Sequence, residues 1–347
     1  MSQKYINNEN IFESLASVIE EYDAKHIFLV RGRRSYEDCG AKYVVDAIQK
    51  ETKFELTEFA DFSANPKIEE VAIGVEKILQ AKPNLILAIG GGSAMDTAKL
   101  IRHYAAEKGK SIPLCAIPTT AGTGAEATHF AVVYQKGVKT SIEADDILPD
   151  VAILYPPFTY GNNGYLTACT GFDALAQAIE AYWNPKANDE SREYSKCAIK
   201  LIYKQLPKCI EHPEQVGLRD ELIQGAYWAG RAINITKTTA PHAFSYVFTS
   251  KYGYPHGHAV ALTFPFFMKL NGTPSLFELL GMSADNVVQQ IEDYISSLGL
   301  SLKLQEAVDV NGALKEVNLQ RLANNPVKVN QGIIEELERY LEKYQYD

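Results

Sequence analysis

The stretch Leu85-Ile86-Leu87-Ala88-Ile89-Gly90-Gly91-Gly92-Ser93-Ala94-Met95-Asp96-Thr97-Ala98-Lys99 constrains this chain more than any other. Five consecutive apolar residues suit a strand covered on both faces, as in a parallel sheet. Three glycines then allow a sharp turn and leave no Cβ between the backbone N–H groups and a ligand. A helix beginning near Ser93 presents unpaired N–H groups and the positive end of its dipole at that turn. Together these make a site for a diphosphate. Neither the G-x-G-x-x-G spacing nor a following Gly-Lys-Ser/Thr is present, so this is not the Rossmann fingerprint or a P-loop.

The flanking sequence extends the same pattern. Residues 9–22 carry apolar positions at helical spacing, and residues 26–30 form a short apolar strand. The loop Arg31-Gly32-Arg33-Arg34 leads to Ser35, a cap for a helix to about Lys50. A strand over 54–59, a helix entered at Asn65-Pro66 and running to about Ala81, the opening strand, its helix, and a strand over 112–117 follow. This order predicts an open parallel α/β sheet with ligands at the carboxyl ends of its strands. The next turn, Pro118-Thr119-Thr120-Ala121-Gly122-Thr123-Gly124, is rich in hydroxyls and bare amides suited to ribose or phosphate. Residues 130–134 and 138–142, split by Lys136-Gly137, read as a hairpin, and residues 151–154 as a last strand. Beyond Tyr155-Pro156-Pro157 helical periodicity dominates. The expected division is a dinucleotide-binding α/β domain over 1–157 and a helical metal and substrate domain over 158–347.

Composition excludes several classes. A net charge of −9 argues against a nucleic-acid-binding surface, and no apolar run approaches the length of a membrane span. The polar N-terminus has no signal-peptide core. Five scattered cysteines without a C-x-x-C pair fit free thiols in a reducing cytoplasm, so a cytoplasmic location is expected.

In the helical half, Asp173 and Gln177 share one helix face, one turn apart. His242 and His256 stand fourteen residues apart, with His258 two further on, and His129 lies in the first half. One carboxylate and two imidazoles suit Fe²⁺ or Zn²⁺ with a position left open for substrate.

These pieces together resemble the iron-containing (group III) alcohol dehydrogenase family. The resemblance is carried by Gly90-Gly91-Gly92-Ser93 with Asp96 and Lys99, by Pro118-Thr119-Thr120-Ala121-Gly122-Thr123-Gly124-Ala125-Glu126, by Gly171-Phe172-Asp173-Ala174-Leu175 with Glu180-Ala181-Tyr182, and by Pro255-His256-Gly257. It implies a dehydroquinate synthase-like fold with the active site in a cleft between the two domains. It also implies a cofactor site including Gly90, Gly91, Gly92, Ser93, Asp96, Thr119, Thr120 and Thr123, metal ligands at Asp173, Gln177, His242 and His256, and a dimer or larger assembly. Gln177 departs from the family, which places a histidine there; a neutral amide oxygen is a poorer ligand, which puts the metal in doubt. Tyr246 stands where many members carry a further histidine, leaving Tyr246 or His258 to handle the proton.

NAD-preferring members of the family place an Asp after the first strand; Gly32, beside Arg33, removes that acid, which favours NADPH over NADH. The segment 231–242 replaces a small, apolar, Gly-containing run of the family and sets Arg231 and Lys237 before His242. With His129, these cations suit a small anionic aldehyde. The combination looks like the phosphonoacetaldehyde reductase branch, which makes 2-hydroxyethylphosphonate. Alternatives are a general short-chain alcohol or sulfoacetaldehyde reductase, a metal-independent maleylacetate-type reductase, a same-fold lyase, or a non-catalytic nucleotide-binding protein.

Overall fold

Burial on both faces of each central strand explains the first half of the molecule. The computed structural model describes residues 3–317, 319 and 321–345. The chain divides into two compact units, Met1–Asn162 and Asn163–Asp347.

Unit 1 runs β1 (Lys4–Asn7), α1 (Ile11–Glu21), β2 (His26–Arg31), α2 (Ser35–Asp38), α3 (Ala41–Thr52), β3 (Glu55–Phe59), α4 (Ile68–Ala81), β4 (Leu85–Gly90), α5 (Gly92–Glu107), β5 (Leu114–Pro118), β6 (Phe130–Gln135), β7 (Val138–Glu143) and β8 (Val151–Leu154). Six strands form one sheet in the order β1-β8-β5-β4-β2-β3, every pair parallel. On β4, Leu85, Leu87 and Ile89 pack with residues of α1 and α3, whereas Ile86 and Ala88 pack with residues of α4 and α5. The period of two thus sends apolar side chains into a helical layer on each face, which is why the run is continuously hydrophobic. Each fully buried Leu or Ile contributes about 1.5–3 kcal/mol.

One strand lies where the sequence suggests no element, and one expected helix is broken. The polar segment Lys4–Asn7 is a strand, because backbone pairing with β8 at the sheet edge holds it without a hydrophobic run. The helix expected from Ser35 to Lys50 is broken at Gly40, whose φ of 82° ends α2 and starts α3 at Ala41.

Unit 2 contains α6 (Gly164–Trp183), α7 (Asp189–Ile202), α8 (Gln205–Glu211), α9 (Val216–Thr236), α10 (Ala240–Tyr252), α11 (His256–Asn271), α12 (Pro274–Leu280), α13 (Val287–Ser297), α14 (Val310–Lys315) and α15 (Gln331–Glu342), with no strand among the described residues. Nearly every residue of α6 from Thr167 to Trp183 is buried, and it packs against α7, α8, α9 and α11. A helix buried on every side belongs at the centre of a bundle, and Asp173, Gln177 and Glu180 are the polar residues it buries there. Among the described residues no helix is long and apolar enough to cross a membrane.

Candidate active site

In unit 1, three loops leave the carboxyl ends of neighbouring strands. The Gly32 amide donates to the Ile89 carbonyl (3.1 Å), drawing the loop after β2 to the end of β4. The Thr119 amide donates to the Gly90 carbonyl (2.9 Å) and draws in the loop after β5. A Cβ on Gly91 would stand 3.4 Å from Thr120 Oγ1, and one on Gly92 only 2.9 Å from Thr123 Cγ2. The close approach therefore needs glycine, and it brings both threonines against the start of α5. The buried Thr119 hydroxyl has no partner among the described residues. Bare amides at a helix N-terminus, ringed by hydroxyls of which one is unsatisfied, fit the diphosphate and ribose of a dinucleotide.

Other expected cofactor residues have structural duties. The Ser93 hydroxyl donates to the Ala64 carbonyl, so its amide is the part offered at the turn. The Asp96 carboxylate accepts from the Val132 amide (3.0 Å), and burial pushes its pKa up despite Lys99 at 3.8 Å. The fully buried Lys99 ammonium donates to Ala125 O and Thr128 Oγ1, both at 2.9 Å, so this pair ties α5 to the threonine-rich loop and β6. Arg33 is exposed, donating to the Ala60 carbonyl (2.9 Å) with Asp61 at 4.0 Å. His129 pairs with Glu143 (2.7 Å) across the β6–β7 hairpin.

In unit 2, Asp173 and Gln177 lie one turn apart on α6, His242 in the first turn of α10, and His256 opens α11. One ligand atom from each of Asp173, His242 and His256 falls within 4.8 Å of the others. His242 Nε2 lies 3.0 Å, and His256 Nε2 3.9 Å, from Asp173 Oδ1. Atoms that share one cation at ~2.0–2.2 Å stand roughly 3–4 Å apart, so the three fit a divalent transition metal. Gln177, 5% exposed, has an Oε1 with no hydrogen-bond partner among the described residues. A buried unsatisfied oxygen on the Asp173 face is what a fourth, weaker ligand provides.

Glu180 is the functional residue that sequence reasoning did not single out. It is fully buried, and its Oε1 accepts from His242 Nδ1 while Oε2 accepts from the Thr239 hydroxyl (2.8 Å) and amide. This fixes the imidazole with Nε2 toward Asp173, as carboxylates behind metal-binding histidines do. Its signal was available, since positions 173, 177 and 180 follow the i, i+4, i+7 spacing of one helical face. Burial works against a charged His242, but Glu180 and Asp173 on either side outweigh it and raise its pKa to about 9.

The two expected proton carriers differ. His258 donates from Nε2 to the Ser301 carbonyl (2.6 Å), leaving Nδ1 to accept from the Tyr165 hydroxyl (2.9 Å). Both nitrogens are committed, and burial lowers its pKa. Tyr246 instead stacks on the His256 ring, 5.9 Å between centroids and 1° between planes. The expected substrate cations also differ. The Arg231 guanidinium is held by the Tyr227 and Tyr194 hydroxyls (3.3 and 3.2 Å), with Glu190 at 4.0 Å. Lys237 ends α9 at φ 67°, ψ 178°, two residues before the Thr239 that Glu180 holds.

A parallel sheet with a glycine turn, followed by a helical unit with a carboxylate–diimidazole cluster, is the architecture of a nucleotide-binding enzyme with a metal-ligand set, and the family matches make it an oxidoreductase. The chain belongs to the iron-containing alcohol dehydrogenase family: the model of that name matches residues 2–156, and the model for the C-terminal part of Fe-containing alcohol dehydrogenases matches residues 167–336. It is 30% identical over 262 residues to the 1-propanol dehydrogenase PduQ of Salmonella typhimurium, covering 74% of this chain and 70% of that protein. It is 29% identical over 306 residues to the NAD-dependent methanol dehydrogenase of Bacillus methanolicus, covering 80% and 79%. Among solved structures, sulfoacetaldehyde reductase from Bifidobacterium kashiwanohense in complex with NAD⁺ superposes with a TM-score of 0.90 at 27% identity, over 99% of this chain and 98% of that one.

Proposed function

We propose that this chain is a cytoplasmic NAD(P)H-dependent reductase of a small anionic aldehyde, with phosphonoacetaldehyde the favoured substrate and sulfoacetaldehyde the next. The observation that carries the reading is the Asp173–His242–His256 cluster with Glu180 behind it. The anionic end of the substrate is supported by Lys237, a cation held in a backbone conformation that costs of order 1–3 kcal/mol and so calls for a function. Likeness to a sulfoacetaldehyde reductase supports the same substrate class.

Bound reduced nicotinamide supplies the hydride, and a bound Fe²⁺ or Zn²⁺ supplies a Lewis acid for the aldehyde oxygen. The amides of Gly91, Gly92 and Ser93 receive the diphosphate, and Thr119, Thr120 and Thr123 orient the ribose. Asp173, Gln177, His242 and His256 hold the cation, and Glu180 keeps His242 in the ligating tautomer. Lys237 draws the anionic tail in, fixing the approach of the carbonyl carbon. Tyr246 Oη gives its proton to the developing alkoxide and regains it from water. Gly32 in place of an acid, with Arg33 exposed beside it, favours NADPH. A homo-oligomer is part of the proposal.

A reduction screen tests the reading, with phosphonoacetaldehyde, sulfoacetaldehyde and propanal, each with NADPH and NADH, with and without added Fe²⁺. The expected result is a kcat/KM at least tenfold higher for the anionic aldehydes, NADPH over NADH, and activation by Fe²⁺. Cofactor binding without turnover of any aldehyde overturns it. Full activity after chelation moves the enzyme to the metal-independent maleylacetate type, a second reading that the neutral Gln177 favours.

A further inference from the structure

We propose that Arg321 is a substrate-binding residue that receives the anionic group of the aldehyde; this rests on the anionic-aldehyde reading of the same site. Arg321 begins a short 3₁₀ turn, Arg321–Asn324, whose sequence carries no motif. Its guanidinium carbon lies 4.4 Å above the ring of Tyr246, whose other stacking partner is His256 of the metal-ligand cluster. Guanidinium and imidazole therefore both touch the one phenol ring, which puts Arg321 one residue away from the cluster.

The turn is fixed to the helices that bear the ligands. Asn325, buried, exchanges two hydrogen bonds with Asn271 at the end of α11 (2.8 and 3.0 Å) and donates to the Val327 carbonyl (2.7 Å). Its Oδ1 also accepts from the Ala240 amide at the start of α10 (3.4 Å). Asn324 donates to the Thr238 carbonyl (3.4 Å), so the turn is tied to the residue next to Lys237. A buried double amide clamp of this kind holds a side chain to one place, which is what orientation of a small substrate requires.

The Arg321 guanidinium hydrogen-bonds the Tyr246 hydroxyl, a neutral partner that leaves its charge uncompensated. Arg31, Arg33, Arg102 and Arg231 each have a carboxylate within 4.0 Å; among the described residues Arg321, like the surface residues Arg34, Arg192 and Arg339, has no carboxylate partner, and it alone of these stands beside the metal-ligand cluster. Asp173 and Glu180 carry two negative charges that a bound divalent cation would only balance, so an anionic substrate gains from a further cation beside the cluster. A half-exposed guanidinium seated over an aromatic ring keeps further N–H groups for a ligand, and such groups bind phosphonate, sulfonate or carboxylate oxygens in pairs.

Steady-state kinetics on the full-length enzyme and its Arg321→Ala, Arg321→Gln and Arg321→Lys variants test this, with phosphonoacetaldehyde and sulfoacetaldehyde against propanal. Arg321→Ala and Arg321→Gln are expected to lose roughly 100-fold in kcat/KM on the anionic aldehydes, mainly through KM, and less than about threefold on propanal. Arg321→Lys is expected to recover part of the loss, and guanidinium ion to rescue Arg321→Ala on the anionic substrates alone. An equal loss on both classes in Arg321→Gln, which still covers the Tyr246 ring, would make Arg321 a structural clamp and overturn the proposal. So would a variant that keeps the wild-type preference. A wild-type enzyme that prefers propanal removes the anionic-substrate reading itself, and this proposal with it.

Discussion

At the scale of single residues, backbone strain separates Lys237 from the other lysines that end helices. Lys53 and Lys82 have positive φ with ψ of 29° and 48°, the left-handed region that side chains tolerate. Lys237, at ψ 178°, occupies a region that is essentially glycine's. Lys237→Gly is therefore expected to raise the free energy of unfolding by about 1 kcal/mol. The same change is expected to cut kcat/KM for an anionic aldehyde roughly tenfold or more. Urea titration and kinetics on one preparation check both, and a variant that is less stable yet fully active would leave Lys237 a packing role only. Gln177 offers the complementary case of a residue too weak for its place. Gln177→His supplies an imidazole on the Asp173 face of α6, and metal retained after dialysis against chelator should reflect an affinity on the order of 10–100-fold higher. Equal retention by both proteins would mean that position 177 does not reach the metal.

At the scale of elements, the cluster depends on how closely α11 approaches α6. A Cβ on Gly257 would sit 1.8 Å from the Cys169 carbonyl oxygen and 3.1 Å from Asp173 Cβ. Backbone cannot yield as a side chain can, so Gly257→Ala must drive the start of α11 away and carry His256 from Asp173. A loss of about 2–3 kcal/mol, seen as a Tm lower by several degrees, should accompany loss of metal binding. Gly171→Ala, on the facing helix α6, is the control: its Cβ meets the flexible end of Leu206 at 2.4 Å, so it should cost less and spare the metal. Elements of this kind were legible to different depths. The strand–glycine–helix unit at Leu85 could be read because burial on both faces writes itself as an uninterrupted apolar run. β1 could not, because an edge strand held by backbone pairing needs no such run. Asp173, Gln177 and Glu180 share a helix face and so share a local pattern, although only the first two were picked out. Arg321 lies far along the chain from the helices it serves, and its place depends on the Asn325–Asn271 clamp, which no local periodicity encodes.

At the scale of the whole molecule, stability depends on acids that folding takes out of water. Glu126, 3% exposed, sits in the turn that the Lys99 ammonium holds through the Ala125 carbonyl. Burial raises its pKa from 4.5 to about 7, with its own backbone amide and Lys99 opposing the rise only in part. Between those two values the folded chain binds a proton at Glu126 that the unfolded chain has released. The linkage slope is then negative, so the contribution of Glu126 to stability falls as pH rises through this window and levels off above about 7. The full penalty amounts to about 3 kcal/mol at neutral to alkaline pH. Asp96, also pushed up by burial, acts in the same direction. Glu126→Gln keeps the shape of the side chain and removes the charge. Its unfolding free energy relative to the wild type should grow from pH 5 to about pH 7 and then level off, since Asp96 titrates in both proteins and cancels in the difference. Chemical denaturation at four or five pH values measures that difference directly. A difference independent of pH would mean that Glu126 is ionised in the folded chain throughout, its charge carried by Lys99 and the surrounding amides.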